Sequence, residues 1–237
     1  MIDRQLLFAE AKNIGIELDS LAIDRFDTYA EMLVETNKTL NLTAITEPTE
    51  IIYKHFIDCL MLLTVVDIEN GAKVLDVGTG AGFPGVVLLI ARPDLKITLM
   101  DGTNKRLNFI ASVLDKIGLE AEILHSRAEL AGKEENYREK FDLVTSRAVA
   151  NMNVLSEYCL PFVKVGGIFA PMKSVKTDEE TNSAKGAVKL LGGKIREIKR
   201  FNVKNCGERA VIITEKISQT PPKYPRASAQ INKKPLV

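Results

Sequence analysis

Cysteine is scarce and scattered. Cys59, Cys159 and Cys206 lie far apart, and none belongs to a C-x-x-C pair. That spacing argues against a disulfide framework and against a zinc site, and buried thiols are the expectation; no metal is expected. No apolar run reaches the roughly 20 residues of a membrane helix. The charged residues near the N-terminus do not read as a signal peptide, so a cytoplasmic protein without a membrane partner is expected. Net charge is nearly absent too, at +1 over 237 residues. The balance conceals a split. From Lys185 onward there are thirteen lysines and arginines against three acids, a net of +10, which leaves −9 for the rest. A one-sided charge of that size predicts a polyanionic partner for the C-terminal part.

What is present is organised around residues 73–101. Lys73 to Val77 is apolar and β-branched, as a buried parallel strand should be. Gly78, Gly80 and Gly82 follow on alternate positions, Pro84 suits the start of a helix, and Lys96 to Met100 is a second strand ending at Asp101. A strand, glycine turn, helix and strand with a terminal acid bind an adenosine-bearing cofactor, the acid taking the ribose hydroxyls. Gly80-Ala-Gly82-Phe-Pro-Gly85 formally matches the dinucleotide fingerprint, so NAD stays open. Asp76, two residues before the first glycine, favours S-adenosylmethionine (SAM): its carboxylate suits a cationic ammonium and is unwelcome beside a pyrophosphate.

In order, residues 1–50 read as an N-terminal helical extension. Residues 51–215 read as a Rossmann-like α/β domain, and 216–237 as a basic tail whose four prolines exclude regular structure. The tail is either a loop folded onto the domain or a loose arm. A helix opening at Thr46-Glu-Pro48 carries His55 and Asp58, whose three-residue spacing permits a mutual hydrogen bond. Thr103 can cap the next helix. Further strands at 121–124, 141–145, 168–171, 194–201 and 210–214 bring the total to seven. The predicted fold is a doubly wound, mostly parallel sheet of the class I SAM-dependent methyltransferase type. Ser126-Arg127-Ala128-Glu129 and Ser146-Arg147-Ala148 fall at the C-terminal ends of strands, where ligands collect.

The target atom is narrowed by further absences. The fourth strand is followed by Ser146-Arg147-Ala148-Val149, without the Asp/Asn-Pro-Pro-aromatic loop that methylation of an exocyclic amine usually calls for. No Pro-Cys dipeptide supplies the nucleophile a pyrimidine C5 needs. A ring nitrogen with a free lone pair, such as guanine N7, needs neither. Arg147 is suited to hold a guanine edge or a phosphate. A ribose 2′-hydroxyl stays open, with Lys173 able to assist its deprotonation. No residue is required as a general base for a ring nitrogen.

The segments 37–45, His55-Phe-Ile-Asp58, 75–85, Ser126-Arg-Ala-Glu129, 141–148 and Thr220-Pro-Pro-Lys-Tyr-Pro-Arg226 together resemble the RsmG family, also called glucose-inhibited division protein B. The resemblance covers nearly the whole chain. It implies SAM-dependent methylation of a guanine N7 in the decoding-region loop of 16S rRNA, on free RNA, an assembly intermediate or the small subunit. It implies SAM contacts from Gly78, Phe83, Ala128 and Glu129, with Arg147 beside both SAM and target. Family members often carry serine after the second-strand acid; here Gly102-Thr103 follows Asp101, and Thr103 could keep the hydroxyl one position later. Arg127, Lys173, Lys223 and Arg226 are the expected RNA contacts, on a monomer. The alternatives are a non-catalytic SAM-bound RNA-binding or assembly protein and an NAD-dependent oxidoreductase.

Overall fold

The computed structural model describes residues 1–174 and 177–237. Two helices come first, α1 (Arg4–Asn13) and α2 (Ser20–Leu40), capped by the side chains of Asp3 and Asp19. A continuous helical rod follows: α3 (Pro48–Ile51), a π-helical segment (Ile52–Ile57) and α4 (Asp58–Val65). Then β1 (Lys73–Val77), α5 (Gly85–Ala91), β2 (Lys96–Asp101), α6 (Asn104–Ile117), β3 (Glu122–His125) and α7 (Ala128–Ala131) alternate. The chain continues through β4 (Phe141–Arg147), α8 (Met152–Cys159), β5 (Val163–Lys173), α9 (Thr177–Ser183) and α10 (Lys185–Leu190). It closes with β6 (Gly193–Val203), β7 (Gly207–Lys216) and α11 (Ser228–Lys233).

The seven strands lie in the order β3-β2-β1-β4-β5-β7-β6, with β7 antiparallel to both of its neighbours and the other pairs parallel. The sequence order reverses between β1 and β4. A crevice opens at the carboxyl ends of the strands at such a point, and that is where an open α/β sheet binds its ligand. One apolar core runs from Leu7, Phe26 and Leu33 through Phe56 to Val74 and Leu99, so the N-terminal helices are built into the domain. A second core on the other face gathers Leu75, Val144, Phe162, Phe169 and Tyr224.

Three expectations change. Pro84 occupies the N-cap of α5 rather than its first turn. The capping box Thr177-Asp-Glu-Glu180 predicts one helix to about Leu191, but the helix is interrupted at Ala184. The tail does contain regular structure, because prolines are absent from 226 to 234 and α11 forms there. The tail is folded onto the domain. Arg138 donates to the carbonyls of Thr220 (2.7 Å) and Tyr224 (2.8 Å). Lys216 is fully buried; its ammonium donates to Leu160 O, Val163 O and Thr220 Oγ1 and lies 3.1 Å from Glu139.

Candidate active site

A cleft of about 970 Å³ opens over the β1–β4 junction. Gly78, Gly80 and Phe83 line it from the turn after β1, Asp101 and Gly102 from the tip of β2, and Arg147 and Lys173 from the ends of β4 and β5. The glycine turn is held from below and from the side. Asp76 is completely buried, and its Oδ2 accepts the Gly85 N–H at 2.8 Å, which fixes the start of α5. A Cβ at Gly85 would meet that oxygen at 2.9 Å and Leu99 at 2.2 Å, so the close approach requires glycine. Tyr29, from α2, donates its hydroxyl to Ala81 O at 2.6 Å. The helical extension thus buttresses the turn directly.

Asp101 accepts the N–H groups of Gly80 (3.0 Å) and Thr103 (2.8 Å), with Arg106 3.6 Å away. It therefore also shapes the glycine turn. Thr103 stands at the N-cap of α6 but its hydroxyl makes no capping bond. Gly82 packs away from the cleft, against Val86 and Tyr29. Ala128 and Glu129 open α7 beyond the tip of β3, with Glu129 buried. Arg127 is exposed, and its side chain runs past Gly102.

Arg147 is the hub of the opposite wall. Its Nη1 donates to Asp58 Oδ2 and to Lys54 O, each at 2.9 Å, and its Nη2 donates to His55 Nδ1 at 3.1 Å. The guanidinium also lies 5.0 Å from the centre of the Phe83 ring, which stacks on His55 at 4.2 Å. The π-helical segment makes this convergence possible. In an α-helix the Asp58 N–H would occupy Lys54 O; here it bonds to Tyr53 O and His55 O, and Lys54 O accepts from Arg147. So His55 and Asp58 both turn to Arg147 instead of bonding each other. A three-residue spacing could not reveal this, because it assumes an α-helical pitch. Burial and the Arg147 charge push the His55 pKa down to about 3, so the ring is neutral. Arg209, from β7, reaches within 3.2 Å of Asp58 Oδ1.

Lys173 and Glu180 pair at 2.7 Å and brace the loop after β4. Lys173 donates to Ala150 O and Glu180 accepts from Met152 N–H. The loop they hold contains Ala148 at φ +58° and Val149, whose methyl fills the space a Cβ on Gly78 would take. Lys173, expected to assist a deprotonation or to contact RNA, is thus engaged in holding the loop. Arg226, expected to contact RNA, is engaged in the same way. Its Nε and Nη2 bond both oxygens of the fully buried Glu157, at 2.9 and 2.6 Å, which fastens the tail. Lys223 is exposed, 5.2 Å over the Tyr224 ring. The basic C-terminal part is also less free than its count suggests: Arg196, Lys199, Arg200 and Lys204 are each ion-paired with an acid.

The chain matches the family GidB, described as rRNA small subunit methyltransferase G, over residues 22–212. It is 44% identical to ribosomal RNA small subunit methyltransferase G of Clostridium novyi over 234 residues, 98% of this chain and 96% of that protein. The protein of the same name from Acetivibrio thermocellus is 46% identical over 235 residues, again 98% and 96%. The chain belongs to the rRNA small subunit methyltransferase G family. More distant solved structures share the fold. A methyltransferase from Pyrococcus furiosus superposes with a TM-score of 0.58 at 16% identity, covering 82% of this chain and 99% of the other. TrmN from Thermus thermophilus gives 0.54 at 18% identity, covering 68% and 48%.

The residues present fit the SAM that this family implies. Gly80 has a φ of +60°, and an added Cβ there would meet nothing within 4 Å, so the turn offers bare backbone to the cleft. Beneath it Asp76 Oδ1 and Thr79 Oγ1 are buried and unpartnered, two acceptors suited to an ammonium or its water. Among the described residues no cluster suited to a metal ion occurs, and no helix is long and apolar enough to cross a membrane.

Proposed function

We propose that this enzyme methylates N7 of a guanine in the decoding-region loop of 16S rRNA. SAM, when bound, supplies a methyl carbon made electrophilic by its sulfonium. The observation that carries the reading is the state of Arg147. Asp58, His55 and Lys54 O take three of its five N–H groups and fix its plane, which leaves two donors for a ligand in the cleft. A guanine N7 must keep its lone pair for the methyl group, so those donors serve guanine O6, a phosphate or the SAM carboxylate, never N7 itself.

The cleft also suits a target that gives up no proton before attack. His55 is bonded through both ring nitrogens, Asp58 faces two arginines, Asp101 faces two amides and Glu180 faces Lys173. Each of these four groups already has a partner; Asp76, whose Oδ1 is unpartnered, lies beneath the glycine turn on the SAM side. An amine or hydroxyl target would need one free. The contribution of the protein is then orientation: Gly78–Gly80, Asp76 and Asp101 for SAM, with Ala128 and Glu129 on the adenine side, and Arg147 for the target. Arg127 and Lys223, exposed and cationic, would contact RNA backbone.

The test is transfer of labelled methyl from SAM to small-subunit particles and to free RNA that lack the modification. Nucleoside mass spectrometry would then place the label. Label on 7-methylguanosine at one site is the expected result. Label on an exocyclic amine or a ribose, or SAM binding with no transfer, would overturn it.

A further inference from the structure

The hydrogen bonds that begin at Arg147 have a fixed direction. A guanidinium only donates, so His55 Nδ1, 3.1 Å from Arg147 Nη2, must accept and carries no proton. A neutral imidazole with Nδ1 bare carries its hydrogen on Nε2. That nitrogen lies 2.9 Å from Thr43 Oγ1, which therefore accepts. Thr43 Oγ1 accepts a second bond from the Ile45 N–H at 3.0 Å. Both lone pairs of the hydroxyl are then occupied. Its hydrogen has no acceptor among the described residues, and Thr43 lines the same cleft as Arg147 and Gly78.

The position of Thr43 is fixed as firmly as its polarity. Asn37 clamps it by donating to Thr43 O and accepting from Thr43 N–H, both at 2.8 Å. Leu42, Ile45, Phe83, Val149, Met172 and Phe201 give the cleft apolar walls, as a flat base requires. Cations that line it, Lys54, Arg106 and Arg209 among them, suit phosphate better than a neutral hydroxyl does, although each already lies beside an acid, Glu50, Asp101 and Asp58. A neutral hydroxyl that can only donate is better matched to a carbonyl on a base edge.

We propose that Thr43 is a specificity residue, whose outward hydroxyl hydrogen is donated to O6 of the target guanine. The inference rests on the guanine-N7 reading and deepens it. Adenine presents an amine where guanine presents O6, so two donors would face each other, and one of them would lose its hydrogen bond on burial. The N-terminal extension then does more than prop the glycine turn. Through Asn37 and Thr43 it reads the base.

The experiment uses the full chain and two RNAs that differ only at the target: guanine, or 2-aminopurine, which keeps N7 and lacks O6. Single-turnover methylation is compared for the wild type, Thr43→Val and Thr43→Ser, with SAM affinity measured by calorimetry. The wild type should prefer guanine by about 10-fold or more, the cost of one unpaired buried donor. Thr43→Val should shrink the preference to within about 3-fold, and Thr43→Ser should restore it, with SAM affinity moving less than about 2-fold. Thr43→Ala replaces the valine variant if melting shows that valine disturbs the fold.

A preference unchanged in Thr43→Val overturns the proposal. An equal rate loss on both RNAs does so too, since it places the hydroxyl on a phosphate or ribose. Weakened SAM binding with the preference intact assigns the hydroxyl to SAM and overturns it as well. If the wild type places label elsewhere than guanine N7, the function reading fails and takes this inference with it. Normal N7 methylation with an unaltered preference sinks this inference alone.

Discussion

Arg147 and Arg226 look alike as sequence: each follows a strand or loop in a distinctive motif, and each is an obvious candidate to hold an anion. In the structure both face a buried acid, Asp58 and Glu157 respectively. The difference is what each has left. Arg226 lays its Nε and Nη2 side-on against both oxygens of a carboxylate with no exposure at all, and its own backbone N–H adds a third bond. Arg147 spreads its bonds over three partners on one helical rod, and two of its N–H groups have no partner among the described residues at the wall of a cleft. The acids differ in the same sense. Glu157 accepts at both oxygens, whereas Asp76, equally buried beneath the glycine turn, has one oxygen without a partner. A charged residue is functional in proportion to the valence the fold leaves unspent.

The largest test of that contrast is Arg226→Ala. It strands the Glu157 charge in the interior and should cost about 3–5 kcal/mol of stability, read by urea denaturation. Adding Glu157→Gln should recover part of the loss by removing the charge. A loss below about 1 kcal/mol would mean that the tail is not fastened there. Arg147→Lys is the complementary change. Lysine keeps a cation beside Asp58 but cannot serve three acceptors and a ligand together. The expected result is a fall in kcat/KM of about 100-fold, near 2.7 kcal/mol, with less effect on the melting temperature than Arg226→Ala. Reversal of that ranking would break the comparison.

The extent to which this was legible follows from how local each signal is. The strand, glycine turn and terminal acid are adjacent in sequence and fixed by backbone geometry, so residues 73–101 were readable, and the rest of the sheet followed from strand periodicity. Strand ends were not: β5, β6 and β7 are each longer than expected, because antiparallel pairing with β7 extends them past their apolar centres. Asn37, Thr43, His55 and Asp58 were visible as motif residues without assignable roles. Those depend on a π-helical pitch and on Arg147, which arrives about ninety residues later. The ion pairs of Lys173 and Arg226 were not legible because their acids, Glu180 and Glu157, come from separate elements that no spacing rule links to them.

Asp76 gives a smaller effect, of opposite sign. Burial lifts its pKa from the ordinary 3.8 to about 6. A carboxyl whose pKa is raised on folding contributes its full stability below about pH 4 and loses it as pH rises through 6. Asp76→Asn keeps an acceptor for the Gly85 N–H and removes the buried charge. Relative to the wild type it should therefore gain stability between pH 4 and pH 7, on the order of 3 kcal/mol, while SAM affinity falls. Denaturation at the two pH values and calorimetry with SAM measure both. Stabilisation without loss of SAM affinity would show that the unpartnered oxygen has no ligand to meet.

The smallest expected effect concerns one of the cations the tail leaves free, beside Lys233 and Lys234. Lys223 is exposed, and among the described residues its ammonium meets only the face of the neighbouring Tyr224 ring. Burial in protein cannot confuse the result, unlike at Arg226. If Lys223 neutralises one phosphate, Lys223→Ala should lower the slope of log affinity for RNA against log salt by about 0.7–0.9, the share of a single released counterion. The loss in affinity itself should stay under about 1 kcal/mol at physiological salt, as befits a solvated contact, and SAM binding should not change. Arg226→Ala, assayed where it is still folded, should leave the salt slope alone, because its charge is already neutralised within the protein. A slope that fell for Arg226→Ala and stayed constant for Lys223→Ala would invert the assignment and make the buried pair, rather than the exposed lysine, the element that meets RNA.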